Sequence, residues 1–161
     1  MALDNEQIEA GIDNKPIEED TTKDKYLTFL IDNEEYGIDI CYVIEIIPVA
    51  AITWVPETPQ FLKGIINLRG SIIPVIDVRL RFHKEEKAYD ELTCIIVIEY
   101  EDYMVGLLVD TVNEVMLIPE ENISMPPNAK LKYQNKFIKN IGKMEDEVQL
   151  LLDLNKFLMS E

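Results

Sequence analysis

The sequence has few of the residues that enzymes use for nucleophilic or metal chemistry. It contains one histidine, His83, and two cysteines, Cys41 and Cys94, which are far apart and form no CxxC pair. Zinc sites need several His or Cys ligands at short spacing, and a histidine-activated nucleophile would depend on His83 alone. We therefore expect two buried thiols, no metal or other cofactor, and no enzymatic activity.

Glycine-rich motifs and long apolar runs are also absent. No GxxxxGK[ST], GxGxxG or GxSxG pattern occurs, which argues against a P-loop, a dinucleotide-binding turn and a nucleophile elbow. No apolar run has the roughly 20 residues of a transmembrane helix, and the acidic N-terminus is unlike a secretory signal peptide. These features predict a cytoplasmic protein without direct membrane insertion.

Positive charge is scarce. The 161 residues include 15 Lys and Arg against 31 Asp and Glu, a net charge of −16. Such a balance argues against nucleic acid or anionic membrane as a partner, because both need clustered basic side chains. Residues 1–24 are acidic and free of aromatics, which predicts a disordered tail before a folded domain at 25–161.

The remainder of the chain consists mainly of short apolar segments between turn residues. They predict strands at Tyr26–Ile31, Tyr36–Ile40, Thr93–Tyr100 and Tyr103–Val109. Residues 41–47 fit either a helical turn or a strand, and residues after 77 fit either a brief helix or a continuing strand. A strand near 123–125 is one interpretation of the long segment 119–135. Asp153 predicts the N-cap of a short C-terminal helix at about 153–159.

Two parts of the chain resemble each other. In the sequences GIDICYVIEI (37–46) and GLLVDTVNEV (106–115), glycine, valine and glutamate recur at equal spacing. Short strands in two copies predict an all-β protein of two small barrels, at about 25–90 and 91–152, with strand exchange between them left open. Several strands are apolar on both faces, so both faces need cover. We expect the barrels to share a hydrophobic core.

The segment Phe61–Asp77 predicts a hairpin. Gly70 suits a tight turn, Asn67 is expected to bond turn backbone, and Gly64 is expected to serve the local geometry. Arg69 is either a turn-tip side chain in water or an anchor for a carboxylate or a partner backbone.

Two more residues are singled out by their surroundings. Glu45 is a charge among apolar residues and is a candidate partner of Arg69. Trp54 is either core or an exposed aromatic anchor.

Three spaced segments resemble motifs of the CheW family of chemotaxis coupling proteins. They are FLKGIINLRGSIIPVID (61–77), YGIDI with VIEI (36–46), and GLLVD with VNEV (106–115). The resemblance covers residues 26 to about 159. It implies two SH3-like five-stranded β-barrels packed on a shared hydrophobic core, with a short C-terminal helix.

The resemblance also implies a non-enzymatic adaptor in bacterial chemotaxis signal transduction. Such an adaptor couples the cytoplasmic signalling tips of methyl-accepting chemoreceptors to the regulatory domain of the histidine kinase CheA, within receptor arrays at the membrane. The residues implied at the receptor groove are Val43, Glu45, Arg69, Val112 and Val115, and those implied to shape the motif turn are Gly64, Asn67 and Gly70. The alternative function is a small-ligand-binding module that uses the cleft between the barrels.

Overall fold

The computed structural model describes residues 22–126 and 136–160, which form a mainly β fold. Most of the predicted tail, residues 1–21, lies outside the described residues. Two short 3-10 turns lie at Ile40–Tyr42 and Glu120–Asn122. The other described elements are β1 Lys25–Ile31, β2 Glu34–Asp39, β3 Val43–Pro48, β4 Leu62–Leu68, β5 Ser71–Asp77, α1 Val78–Arg81, β6 Cys94–Tyr100, β7 Tyr103–Val109, β8 Thr111–Leu117, β9 Ile123–Ser124, β10 Ile138–Met144, β11 Glu147–Leu152 and α2 Leu154–Met159.

The structure assigns the conformation of the segments that follow residues 39, 77 and 153. Residues 40–42 form a 3-10 turn before β3, so both expected conformations occur in succession. Asp77 caps α1 by accepting the Leu80 N–H at 3.2 Å. Asp153 caps the predicted C-terminal helix α2 by accepting the Lys156 N–H at 3.1 Å.

The strands form two sheets with equivalent topology. The first sheet has the order β8-β1-β2-β11-β10-β9 and the second has the order β3-β6-β7-β5-β4. If β1 to β5 correspond to β6, β7, β8, β10 and β11, the order of the second sheet converts into that of the first, except that β9 has no counterpart strand in the second sheet. The repeat has therefore exchanged strands, since each sheet combines the first hairpin of one copy with the later strands of the other.

The two sheets show the strand exchange that the sequence left open for barrels at about residues 25–90 and 91–152. β1 and β2 lie in one sheet with β8 to β11, whereas β3, β4 and β5 lie with β6 and β7. The reason is a pair of parallel contacts, β2 with β11 and β5 with β7. Parallel strands need long crossover connections, which here bring distant parts of the chain together.

In both sheets the chain beyond one edge strand returns to the opposite edge. After β3, Thr53 pairs with Ile65 of β4 through two backbone hydrogen bonds of 2.8 and 2.9 Å. After β8, β9 pairs with β10. Each sheet is curled by this contact, and the returning chain covers an edge that would otherwise be open to pairing.

A shared hydrophobic core joins the sheets, as the sequence predicts. Its buried residues include Phe29 of the first sheet, Leu107 of the second and Phe157 of α2. On β6, Ile96 and Ile98 face this core, while the intervening Ile95 and Val97 face a smaller core inside the second sheet. A strand that is buried on both faces explains why β6 is apolar throughout.

The expectation of two buried thiols is wrong for Cys41 and is met only in part by Cys94. Cys94 is half-buried at the start of β6, but Cys41 is exposed in the 3-10 turn before β3. The apolar neighbours of Cys41 in the sequence predicted burial. A 3-10 turn directs successive side chains to different sides, so Cys41 can face solvent although its neighbours are half-buried.

Candidate functional site

Two edge strands present the residues expected at a receptor groove. β3 is an edge of the second sheet and β8 is an edge of the first. Val43 on β3 and Val112 on β8 are half-buried and pack against the shared core. Val115 on β8 is exposed. The exposed apolar side chains that accompany them are Ile44, Ile46 and Leu117.

The two edge strands flank the boundary between the sheets. Cys94 pairs with Pro48, the last residue of β3, and the backbone of Val112 on β8 lies close enough to the Cys94 thiol to interact with it. The 3-10 turn before β3 contacts β1, which is the strand that pairs with β8. We refer to β3, β8 and Arg69 together as the edge groove, after the receptor groove that the family resemblance implies.

Both edge strands have a bulge at the equivalent position of the internal repeat. The register of β3 against β6 shifts between Val43 and Glu45. In β8 the extra residue is Asn113. Val112 pairs with Phe29 of β1 and Glu114 pairs with Thr28, so the register of β8 against β1 shifts between these two pairs. Bulges bend an edge strand and redirect its side chains, so the two glutamates of the repeat occupy matching places beside a bulge.

Arg69 and Glu45 form an ion pair in the edge groove. Arg69 and Gly70 are the two central residues of the β4–β5 turn, with φ of 50° and 90°, as in a type I′ hairpin turn. The Gly70 N–H donates to Asn67 Oδ1 at 2.9 Å, which ties the turn together. The Arg69 side chain remains mostly exposed, so guanidinium N–H groups that Glu45 does not use can face a partner.

Gly64 and Gly70 differ in what a side chain would meet. At Gly64 φ is +148° and a Cβ atom would lie 2.1 Å from the carbonyl oxygen of Thr53. This close approach belongs to the Thr53–Ile65 contact that curls the second sheet. At Gly70 φ is +90° and no atom lies within 4 Å of a Cβ position. Gly64 therefore serves packing and backbone geometry, whereas Gly70 serves backbone geometry alone.

A second exposed surface lies at one end of the second sheet. The β4–β5 hairpin, the β6–β7 turn and the end of α2 enclose an apolar groove of about 650 Å³. Ile72, Tyr103 and Met159 line it and are 60%, 64% and 48% exposed. Sequence reasoning missed this apolar groove, because its three walls come from segments far apart in the chain. The available signal was a large apolar residue within two positions of each hairpin turn, Ile72 after Gly70 and Tyr103 after Asp102.

Trp54 is the aromatic residue for which the sequence left a core position and an exposed anchor open. Trp54 is exposed, which excludes the core alternative. It lies with Thr58, Pro59 and Lys63 around a small cleft, and Pro59 also lines the apolar groove.

A family model for the CheW-like domain matches residues 25–161 of the chain. The chain belongs to the CheW-like domain family. The resemblance stated from the three motifs is thereby confirmed.

Known members of the family cover most of this chain. The chemotaxis protein CheW of Klebsiella aerogenes is 37% identical over 142 residues, 88% of this chain and 86% of that protein. CheW of Bacillus subtilis is 34% identical over 140 residues, 87% and 90% of the two chains. The crystal structure of the scaffolding protein TtCheW from Thermoanaerobacter tengcongensis has 37% identity and a TM-score of 0.79, over 86% of this chain and 94% of that one. These relatives support a chemotaxis scaffold or adaptor.

A charged network connects the two sheets of the CheW-like domain. Arg79 of α1 donates to Asp32 at 2.9 Å, in the β1–β2 turn, and to Asp110 at 2.7 Å, between β7 and β8. The hydrogen bond from Arg79 holds the pKa of Asp32 below its ordinary value. No local sequence pattern predicts this network, because it depends on the β1–β2 turn, the β7–β8 connection and α1 meeting in space.

The described part of the CheW-like domain offers little for other chemistry. In residues 22–126 and 136–160, no group of three or more His, Cys, Asp or Glu side chains is arranged to hold a metal ion. Within the same residues, no helix has the length and apolar character that crossing a bilayer requires.

Proposed function

We propose that this CheW-like domain is a non-enzymatic chemotaxis adaptor that couples chemoreceptors to the histidine kinase CheA. The proposal includes a cytoplasmic location at receptor arrays, reached through its partners. The supporting observation is the presence of two separate exposed surfaces, the edge groove and the apolar groove, on one body with a continuous core. An adaptor needs two surfaces that partners can occupy at the same time.

The edge groove is the proposed receptor surface. Its residues are Val43, Glu45, Arg69, Val112 and Val115. Apolar side chains on the two edge strands suit the apolar face of a receptor helical hairpin, and the exposed guanidinium of Arg69 suits a carboxylate or a backbone carbonyl. Gly64, Asn67 and Gly70 are proposed to fix the turn that presents Arg69.

The apolar groove is the proposed surface for the kinase regulatory domain. Contiguous exposed apolar surface of this kind marks interaction sites in soluble proteins. Tyr103 and Met159 are of the residue types that interface cores favour. The groove lies at the end of the second sheet, and its lining does not include Arg69 or the residues of β3 and β8.

Two charged or polar substitutions separate the surfaces experimentally. Labelled protein is titrated with a receptor signalling hairpin and, in a second series, with the CheA regulatory domain. Arg69→Glu is expected to weaken receptor binding only, and Ile72→Asp is expected to weaken kinase binding only. The proposal fails if neither partner binds the wild-type protein, or if each variant affects both partners alike.

The small-ligand alternative has less support. One cleft between Tyr26 of the first sheet and Tyr100 of the second has a volume of about 80 Å³, well below the roughly 300 Å³ of typical ligand pockets. A ligand-induced rise in melting temperature, in a protein without affinity for the CheA domain, would favour this alternative instead.

A further inference from the structure

Arg81 is a buried cation in the last turn of α1. It is 3% exposed and forms no ion pair with the residues that the structure describes. Its guanidinium donates instead to main-chain carbonyls at the end of α2, with distances of 2.9 Å to Phe157 O, 3.4 Å to Lys156 O and 2.6 Å to Ser160 O. Carbonyls at a helix C-terminus lack helical partners and attract positive charge, so Arg81 completes the end of α2.

Aromatic rings hold the same guanidinium on its faces. Its carbon lies 4.3 Å from the ring centre of Phe61 and 4.5 Å from that of Phe137. These phenylalanines occupy equivalent places in the internal repeat, since Phe61 O accepts the Asp77 N–H and Phe137 O accepts the Asp153 N–H. Stacking and hydrogen bonding together fix the guanidinium in one plane.

One ring that Arg81 contacts, and two residues that lie between the carbonyls it binds, line the apolar groove. Phe61, Leu158 and Met159 all line that groove. Leu158 and Met159 lie between the carbonyls of Phe157 and Ser160 that Arg81 binds. Arg81 itself does not line the groove, so any effect of Arg81 on a bound partner would act through the groove residues of α2 and through Phe61.

We propose that Arg81 is a positioning residue that holds the last turn of α2 as one wall of the apolar groove, and so sets affinity for the kinase-side partner. The proposal rests on the proposed function for the identity of that partner. An apolar residue of similar size would fill the space but would leave the helix-end carbonyls without this donor, and Leu158 and Met159 would lose their fixed position. A lysine retains the charge but not the planar fork.

The test compares Arg81→Met and Arg81→Lys with Arg79→Met, a matched control that removes the other arginine of α1. Arg79 binds Asp32 and Asp110, whereas the α2 carbonyls are bound by Arg81. For Arg81→Met we expect the CheA regulatory domain to bind about tenfold more weakly, with receptor-hairpin binding unchanged. Arg81→Lys should lie between Arg81→Met and wild type. Arg79→Met should lower the melting temperature without this difference between partners.

Hydrogen exchange provides a readout that does not depend on any partner. The amide of Phe157 donates to Asp153 O and that of Ser160 donates to Lys156 O. We expect both amides to exchange faster in Arg81→Met and in Arg81→Lys, but not in Arg79→Met. If Arg81→Met does not fold, Arg81→Lys and its exchange rates decide the matter. Unchanged exchange at α2 overturns the positioning role even if the CheA domain binds. If exchange at α2 is faster in the Arg81 variants but the wild-type protein does not bind the CheA regulatory domain, the positioning role stands and only the proposed function is overturned.

Discussion

Single side chains determine the charge that the edge groove presents. Arg69 stands in a backbone conformation that costs most residues some energy, φ of 50°. Its ion pair with Glu45 joins the β4–β5 turn to the edge strand β3. Exposed pairs of this kind contribute little to stability, so we propose that Arg69 serves recognition of a partner, and the alternative is that the ion pair alone matters.

Charge reversal at Arg69 and Glu45 distinguishes direct contact of Arg69 with a partner from a role of the ion pair itself. Arg69→Glu places two carboxylates side by side and is expected to weaken receptor binding about tenfold or more, with little change in melting temperature. The double variant Glu45→Arg with Arg69→Glu restores an ion pair in the opposite direction. If Arg69 contacts the receptor, binding stays weak in the double variant. Recovery of wild-type affinity would show that only the pair matters.

Asp77 gives a prediction about pH. Burial raises the pKa of its carboxyl above the ordinary value, although the carboxylate caps α1. A raised folded-state pKa favours the protonated form, so its contribution is most favourable below the ordinary pKa and is lost as pH rises through the folded-state pKa. Asp77→Asn retains a capping oxygen without charge.

We therefore expect Asp77→Asn to be more stable than the wild type at pH 7. The advantage should shrink as the pH falls below the folded-state pKa, because wild-type Asp77 is then protonated. Thermal unfolding of both proteins across this range provides the measurement. A variant less stable than wild type at pH 7 would show that the charge of Asp77 is needed.

At the level of elements, the sequence is most informative where a structure is local. The Asp153 cap, the C-terminal helix and the β4–β5 hairpin follow from short patterns of residues. The partners of each sheet do not, since β2 with β11 and β5 with β7 are pairings between distant segments. The same limit hid Arg81, whose burial depends on α2 lying against α1 some 75 residues earlier in the chain.

The two glycines of the β4–β5 hairpin should tolerate substitution differently. Gly70→Ala incurs only the cost of positive φ, about 1 kcal/mol, because nothing lies within 4 Å of the new Cβ. Gly64→Ala adds a collision with the backbone of Thr53 and is expected to destabilise by considerably more. Denaturant unfolding of the two variants measures which of them loses more free energy of unfolding. Equal losses would contradict the role given to the Thr53–Ile65 contact.

For the whole molecule, the internal repeat predicts the number of similar units but not which strands they share. The sequence leaves strand exchange between the two barrels open, because hydrophobic pattern specifies which faces are buried and does not specify which strand lies beside which. The shared core, in contrast, follows from the local sequence pattern. A strand such as β6 has apolar residues on both faces and therefore needs cover on both sides.

Strand exchange makes the two halves of the chain dependent on each other. Fragments 1–91 and 92–161 each lack strands that both sheets need. We expect each fragment alone to be largely unfolded by circular dichroism and by amide proton dispersion, and an equimolar mixture to recover the sheet signal. A folded spectrum from either fragment alone would contradict the described topology.

The central claim is that one rigid body holds two partners at once. The most direct measurement is the mass of the complex, by sedimentation, when the protein is mixed with the receptor hairpin and the CheA regulatory domain together. The account predicts a ternary complex that contains one copy of this chain, with Arg69→Glu losing only the receptor and Ile72→Asp losing only the kinase domain. Displacement of one partner by the other would contradict it.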